Sequence, residues 1–490
     1  MQRRVYGEEN ELGAMFKRNG RWESSIQKGR PRPLKKATGQ ISSVCCGFQE
    51  NGGRILYDVE HVEYATPEAS LVRELVLASR GCERLVEELF PPLLEDEVRF
   101  IKDGTDGRDS VTYATHENYL FDPSLLFEPG HHEFRFKENV LNNLVLFLIS
   151  RIVITGGGGI SADYLSFGRF LISHRARFIN KTIAPSSHGA SCPLISSKFD
   201  PLGEGYPYQR LHIPCGDPSV SEFTQYLKYG ITALVLRLAE DGALPFSEGC
   251  LDPISTIKQV SDDISCQKPL VRFPGGQSLR ALDVLRAFLD RIKQRYPADD
   301  DPLEEAGETQ DVINKTEETL DKLETDPMRL DRELDWVIQK KLMERYLAKL
   351  GMELSEFHQL FKHDFHKAKE ILNVLRYVEQ RYHELSPGNL WRELSRRSLV
   401  TRILTDEEIE IAKTKPPGWA NPSHRNRSWA RGNLVKKMKE LNVGDRCVVD
   451  WTRVGIDVAP PHFTCPKNFE LNDPFAWDLP EVNEFLETEL

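Results

Sequence analysis

The residues best equipped for chemistry in this chain lie in one run, Arg54-Ile55-Leu56-Tyr57-Asp58-Val59-Glu60-His61-Val62-Glu63-Tyr64-Ala65-Thr66-Pro67-Glu68. An arginine there suits phosphate, and carboxylates suit a hard metal ion or a proton in transit. The apolar positions are β-branched or aromatic, which reads as strand, and alternate residues of a strand share a face. Arg54, Leu56 and Asp58 then point one way, and Glu63 rejoins them if the strand kinks or bulges near His61. That convergence fits phosphoryl chemistry. The plainer reading is an amphipathic strand whose charged side meets water.

Other acids fall on separate strand-like runs: Glu8, Glu9 and Glu11 near the start, Glu68, and Glu117 beside His116. Oxygen-rich clusters suit Mg²⁺, which takes a few carboxylates, waters and nucleotide phosphates in preference to soft ligands. His116 alone reads better as a hydrogen-bonded structural histidine than as a ligand. No G-x-S-x-G elbow occurs and no cysteine sits in an activating context. The run Gly156-Gly157-Gly158-Gly159 lacks the Lys-Ser/Thr of a phosphate loop and reads as a turn.

Several elements must position these groups. Met1–Gly13 reads as a first strand, residues 17–44 as an irregular connection, and Leu56–Tyr64 as a central strand. Ser70–Phe90 has apolar residues at helical spacing and ends at Pro91-Pro92. Thr112–Leu120 is strand-like, Asn139–Ile152 a buried helix, and Ser221–Ala239 a helix capped by Ser219 or Ser221. Short basic pieces between residues 172 and 217 carry Arg175, Arg177, Lys198, Arg210 and His212. Charged helical sequence follows Pro297. Pro416-Pro417-Gly418 marks a boundary, dividing a catalytic domain (1–415) from a small module (416–490) with a basic helix, Asn433–Leu441, and a strand, Arg446–Val454.

The chain has 490 residues and a formal charge of −11, which argues against nucleic acid as partner. Lys17–Lys36 is basic and Asp299–Asp326 acidic. The apolar run Val140–Ile154 is broken by Asn142, Asn143 and Arg151, so no membrane span is expected. The N-terminus lacks a secretory pattern, giving a cytoplasmic expectation. Nine scattered cysteines without Cys-x-x-Cys spacing predict reduced thiols and give no signal for structural zinc.

Together the motifs become specific. Met-Gln-Arg-Arg-x-x-Gly-x-Glu-x-Glu-x-Gly opens the chain, followed by Arg54…Asp58…Glu63-Tyr64-Ala65-Thr66-Pro67-Glu68 and His116-Glu117-Asn118-Tyr119-Leu120. With Tyr208-x-Arg210-Leu211-His212, Gly216-Asp217 and Ser221-Glu222, these closely resemble the Pup ligase/depupylase family of glutamine-synthetase-like carboxylate–amine ligases. The resemblance implies an α+β fold with a curved, mainly antiparallel sheet packed by helices. Arg332-Glu333-Leu334-Asp335-Trp336-Val337-Ile338, Thr405-Asp406-Glu407-Glu408 and Val449-Asp450-Trp451 look like the ligase branch, whereas the short interval from Asp58 to Glu63 looks like the depupylase.

By the same resemblance, Glu9 and Glu63 are Mg²⁺ ligands, with Glu11, Tyr57 and His116 as further candidates. Arg54, Thr66 and Arg210 meet ATP, Trp451 closes over the nucleotide, and Asp58 is the catalytic base. The family's metal-binding tyrosine falls at Leu56 here, and Tyr57 stands one residue later, which turns it to the other face of a strand. Ser196-Ser197-Lys198-Phe199-Asp200-Pro201 departs from the family pattern, which points to a divergent Pup-like modifier. The implied reaction joins that modifier's C-terminal glutamate to substrate lysines through a γ-glutamyl phosphate, marking proteins for a bacterial proteasome. A deamidase/depupylase and a non-catalytic modifier-binding homologue are the alternatives.

Overall fold

A computed structural model describes residues 4–18, 21–24, 32–105, 111–126, 135–163, 166–186, 191–198, 208–297, 307–456 and 467–487. Strict alternation organises its longest strand, β1 (Tyr6–Arg18): Tyr6, Glu8, Asn10, Leu12 and Ala14 are buried, while Gly7, Glu9 and Glu11 face an opening. Neighbouring strands extend the pattern: β2 (Arg21–Ser24), β3 (Arg54–Asp58), β4 (His61–Ala65), β5 (Val98–Ile101) and β6 (Thr115–Phe121). A small ribbon, β7 (Gly159–Ile160) and β8 (Phe170–Leu171), precedes β9 (Lys181–Ala184), β10 (Pro193–Ser196) and β11 (Gln209–Gly216). A second ribbon, β12 (Val271–Arg272) and β13 (Ser278–Leu279), precedes β14 (Glu384–Leu385). The main sheet runs β14-β5-β1-β6-β11-β10-β9, with the β3–β4 hairpin joined to β1 through β4. Among the described residues only the β9–β10 pair is parallel, so the α+β, mainly antiparallel expectation stands.

Two expected elements differ. Leu56–Tyr64 is a hairpin rather than one strand, because Val59 adopts φ 49° and lets the chain reverse between Asp58 and His61. A residue type that disfavours left-handed backbone hid that turn. Within 17–44, β1 persists to Arg18, and α1 (Arg32–Ser42) buries Leu34, Ala37, Thr38 and Ile41 at helical spacing. The charged, Pro-rich composition masked that narrow apolar stripe.

Helices cover the back of the sheet. These are α2 (Val72–Leu89), α3 (Glu138–Thr155) and α4 (Glu222–Glu240), then α5 (Pro253–Asp262), α6 (Ala281–Arg295) and α7 (Glu308–Thr325). Ser221 caps α4 by accepting from the Thr224 N–H. Among the described residues α3 is the helix long and apolar enough to cross a membrane, but it is mostly buried against α4, α5 and α6 and serves as core. The helices α8 (Asp335–Lys349), α9 (Leu354–His363), α10 (Phe365–His383), α11 (Leu390–Arg396) and α12 (Asp406–Ala412) complete the body.

After residue 416 come α13 (Arg427–Glu440), the antiparallel strands β15 (Cys447–Val449), β16 (Arg453–Ile456) and β17 (Asn468–Glu470), and α14 (Pro480–Glu487). The expected strand Arg446–Val454 is therefore a tight pair. This module has its own apolar core, which takes in Cys45 and Phe48 from the larger body. Buried charge locks it down: Arg427 donates to Glu68 Oε1 at 2.8 Å, and Arg431 donates to Glu68 Oε2. Those cations hold the Glu68 carboxyl at about 2 despite the opposing effect of burial.

Candidate active site

Register decides which side chains meet. Across β1–β4, Glu9 pairs with Ala65 and Glu11 with Glu63. Across β3–β4, Arg54 pairs with Ala65, Leu56 with Glu63 and Asp58 with His61. Glu9 also lies opposite His116 on β6, and Asn118 opposite His212 on β11. Directly paired residues point to the same side of a sheet. One face therefore collects Arg54, Asp58, Glu63, Glu9, Glu11, His116, Asn118, Arg210 and His212. All of them but Glu11 and Asn118 line a cleft of about 580 Å³, as do Leu56, Ser196, Lys198 and Trp451.

The electrostatics are uneven. Glu9 accepts from Asn118 Nδ2 at 3.2 Å and lies 3.4 Å from His116 Nδ1 and 3.6 Å from Arg210. Burial opposes its charge, yet the His116 hydrogen bond, His212 and Arg210 keep its carboxyl well below the ordinary range. Glu11 is also held low against burial, by His116, His61 and Arg175 and by the Ala114 N–H. Glu63 goes the other way. Burial, then the charges of Glu9, Glu11 and Asp58, push its carboxyl well above the ordinary value.

The imidazoles are placed to act as ligands. Glu9, His116 and His212 bring one donor atom each within 4.8 Å of one another. Burial keeps the His212 imidazolium disfavoured. Because the Asn118 amide nitrogen donates to Glu9, its oxygen, 2.9 Å from His212 Nδ1, accepts that ring's proton, which leaves Nε2 with a lone pair. Carboxylates crowded enough to repel one another, beside imidazoles, fit a divalent cation.

A narrower recess adjoins the cleft and shares Glu9, Ala65, Arg210 and Trp451 with it. Thr66, Tyr208, Asn472 and Pro474 are among its other walls. Trp451 thus roofs both spaces. It is held from behind: the Arg431 guanidinium lies 4.8 and 5.4 Å from the centroids of the Trp451 and Phe48 rings, which meet edge to face, and donates to Trp451 O at 3.0 Å. Arg54 is fixed by its Nε, which donates to Cys46 O at 3.0 Å, and by stacking on Phe48.

Of the anticipated site residues, Glu9, Arg54, Asp58, Glu63, His116, Arg210 and Trp451 line the cleft. Glu11 sits beside it, 3.6 Å from His116 Nε2, and Thr66 lines the recess. Tyr57 is a correction: one position out of phase with Leu56 and Asp58, it packs on the apolar cluster behind the hairpin, so its assignment as a metal ligand is withdrawn. Glu8, Glu68 and Glu117 also leave the acidic set, each being buried against protein partners elsewhere. Arg175 is structural, donating to Thr112 Oγ1 and Pro214 O. The residues not anticipated are His212, Asn118 and His61. His212 had a readable signal, two residues after Arg210 on one strand. Asn118 and His61 needed the pairing register.

Fold and cleft define an α+β enzyme that gathers carboxylates, imidazoles and guanidinium groups around one opening, a set suited to a ligand with anionic groups and a cation. The profile described as Pup-ligase protein matches residues 8–455, and the chain belongs to that family. It is 31% identical to the Pup–protein ligase of Mycolicibacterium smegmatis over 490 aligned residues, covering 96% of this chain and 98% of that one. A Rhodococcus opacus Pup–protein ligase is also 31% identical with the same coverage. Among solved structures, the complex of the prokaryotic ubiquitin-like protein Pup with its ligase PafA superposes with a TM-score of 0.80 at 25% identity, over 99% of this chain and 92% of that one. PafA in complex with ADP gives 0.71 at 25% identity, over 93% of each.

Proposed function

We infer that this chain is an ATP-dependent ligase that joins the C-terminal glutamate side chain of a Pup-like protein modifier to lysine side chains of other proteins. The observation that carries this reading is the single cleft that brings Glu9, Asp58, Glu63, Arg54 and Arg210 together beneath Trp451, in a member of this family. The relatives carry the ligase name, and none of these observations favours the hydrolase alternative.

Charge and position support the residue roles that the resemblance implies. Glu9, Glu63, His116 and His212, with Glu11 alongside, would hold Mg²⁺, which would supply charge neutralisation at the phosphates. Arg54 and Arg210 face the same space and stabilise the charge that spreads over the phosphoryl oxygens. Trp451 and Thr66 bracket the nucleotide in the recess, and Trp451 excludes water from the transfer.

The modifier's γ-carboxylate attacks the γ-phosphorus of ATP, forming a γ-glutamyl phosphate and ADP. Lysine arrives as ammonium, drawn by the acidic rim of Asp58 and Glu63. Asp58 takes its proton, the amine attacks the acyl carbon, and phosphate leaves with the isopeptide bond formed. A soft-metal role is disfavoured by the carboxylates, and the two imidazoles suit Mn²⁺ better than Mg²⁺, which takes its oxygens from the carboxylates and phosphates.

The test mixes purified chain, Mg²⁺, ATP, a lysine-bearing protein and a Pup-like modifier ending in Gly-Gly-Glu. The expected result is ATP consumption only when modifier is present, with a conjugate of summed mass. Release of modifier from preformed conjugate, with no conjugate made from free components, overturns the reading.

A further inference from the structure

A second group of ligand-type side chains lies off the cleft. Asp103, just past β5, His174, just past β8, and Glu379 on α10 bring one donor atom each within 4.8 Å of one another. All are buried, at 1–2% exposure. None lines the cleft or the recess. The cysteine pattern gave no hint of it, because its donors are an imidazole and carboxylates from three distant segments.

The donors are arranged with their other valences used. Glu379 Oε2 accepts from the Ile160 N–H at 3.4 Å and lies 3.7 Å from Arg376 Nη1, while Oε1 stands 3.1 Å from His174 Nδ1. Arg376 directs its amines to Ile160 O at 2.6 Å and Thr105 Oγ1 at 3.4 Å. The nearby His383 accepts at Nε2 from the Gln339 amide nitrogen at 2.8 Å, so that atom has no proton to offer Asp103, 4.0 Å away. Gly159 keeps the space open: it sits at φ 151°, and a Cβ there would overlap both Glu379 Oε1 and the His174 ring.

We propose that Asp103, His174 and Glu379 form a structural site for a divalent transition ion of the zinc class, tying the sheet to α10. A buried imidazole with carboxylates matches zinc, which accepts nitrogen and oxygen together. Mg²⁺ dehydrates reluctantly and prefers oxygen and water. An ion there closes long loops, adding to the hydrogen bonds from Arg376 and to Glu379 that already tie these segments.

The test uses the full chain, stripped with EDTA, loaded with Zn²⁺ and desalted, with zinc counted by mass spectrometry. His116→Gln removes a donor from the cleft, so zinc retained in that background reports the second site. About one zinc per chain should persist there and fall about tenfold or more when His174→Gln or Asp103→Asn is added. X-ray absorption on zinc in the His116→Gln chain should show one imidazole with oxygen neighbours. Added zinc should raise Tm in that chain and not in the double variants. No retained zinc, equal retention without His174, or an imidazole-free zinc shell overturns the site and leaves a buried ion network, a result independent of ligase activity.

Discussion

The two faces of the main sheet carry the same residue types, and Glu8 on the back and Glu63 on the front behave oppositely. On the back, Glu8 accepts from Ser79, Gln225 and Tyr229 and lies 3.5 Å from Lys102, while Glu117 pairs with Arg151 through both oxygens. Against the effect of burial, Lys102 and Lys228 hold Glu8 at about 2. On the front, Glu63 has mainly other carboxylates for neighbours, and its proton is held tightly. Buried acids answered by the protein's own cations are architecture. Buried acids that answer one another wait for a charge from outside.

The sharpest way to break that comparison is at Asp58, which should do chemistry and no structural work. Asp58→Asn is expected to cut conjugate formation by about 10²–10⁴-fold, read on a time-resolved gel, with Tm unchanged. A similar effect from a back-face amide swap without loss of stability would erase the distinction between the faces. Glu117→Gln is the matched experiment. It leaves Arg151 buried and under-compensated, and should cost about 3–5 kcal/mol in denaturant unfolding.

Glu63→Gln should show the reverse signature, with ligation lost and the metal-free protein melting roughly 2–4 °C higher, because a repelling charge is gone. The pH dependence has a definite sign. The Glu63 carboxyl is raised in the fold from 4.5, so its contribution to metal-free stability is fully present below that value and is lost as pH rises toward the folded value. Glu9 and Glu11 are lowered, so theirs is present above 4.5 and lost as pH falls. Thermal melts across pH should therefore show Glu63→Gln removing the decline on the alkaline side, and saturating Mg²⁺ should flatten it in the wild type.

The smallest expected effect is at the roof. Trp451→Ala removes one aromatic wall, worth about 0.5–1.5 kcal/mol, so the ATP KM should rise about 2–10-fold with kcat less affected. Arg431→Ala should be far worse, since it frees Glu68 in a buried site.

Much of this was legible in the chain. The strand identity of β1, β3 and β6, the α2, α3 and α4 helices, and the set Glu9, Arg54, Asp58 and Glu63 followed from residue type, alternation and motif. What escaped was pairing. Leu56 and Glu63 meet because a two-residue turn at Val59-Glu60 preserves phase across a hairpin, where a bulge in one strand was anticipated. Glu8 and Glu9 differ by a single position, and only the face against helices α2 and α4 tells which one is structural. His212 and Asn118 gain meaning from the β6–β11 register, a long-range property that local periodicity does not encode.

The central claim is that the front-face acids hold a cation against a nucleotide beneath Trp451. A crystal structure of the full chain with Mg²⁺ and a non-hydrolysable ATP analogue tests it most directly. The expected result is a cation about 2.0–2.1 Å from oxygens of Glu9 and Glu63, with the triphosphate between Arg54 and Arg210 and the base under Trp451. A nucleotide bound outside this cleft, or a cation that ignores Glu9 and Glu63 while both remain ionised, would contradict it.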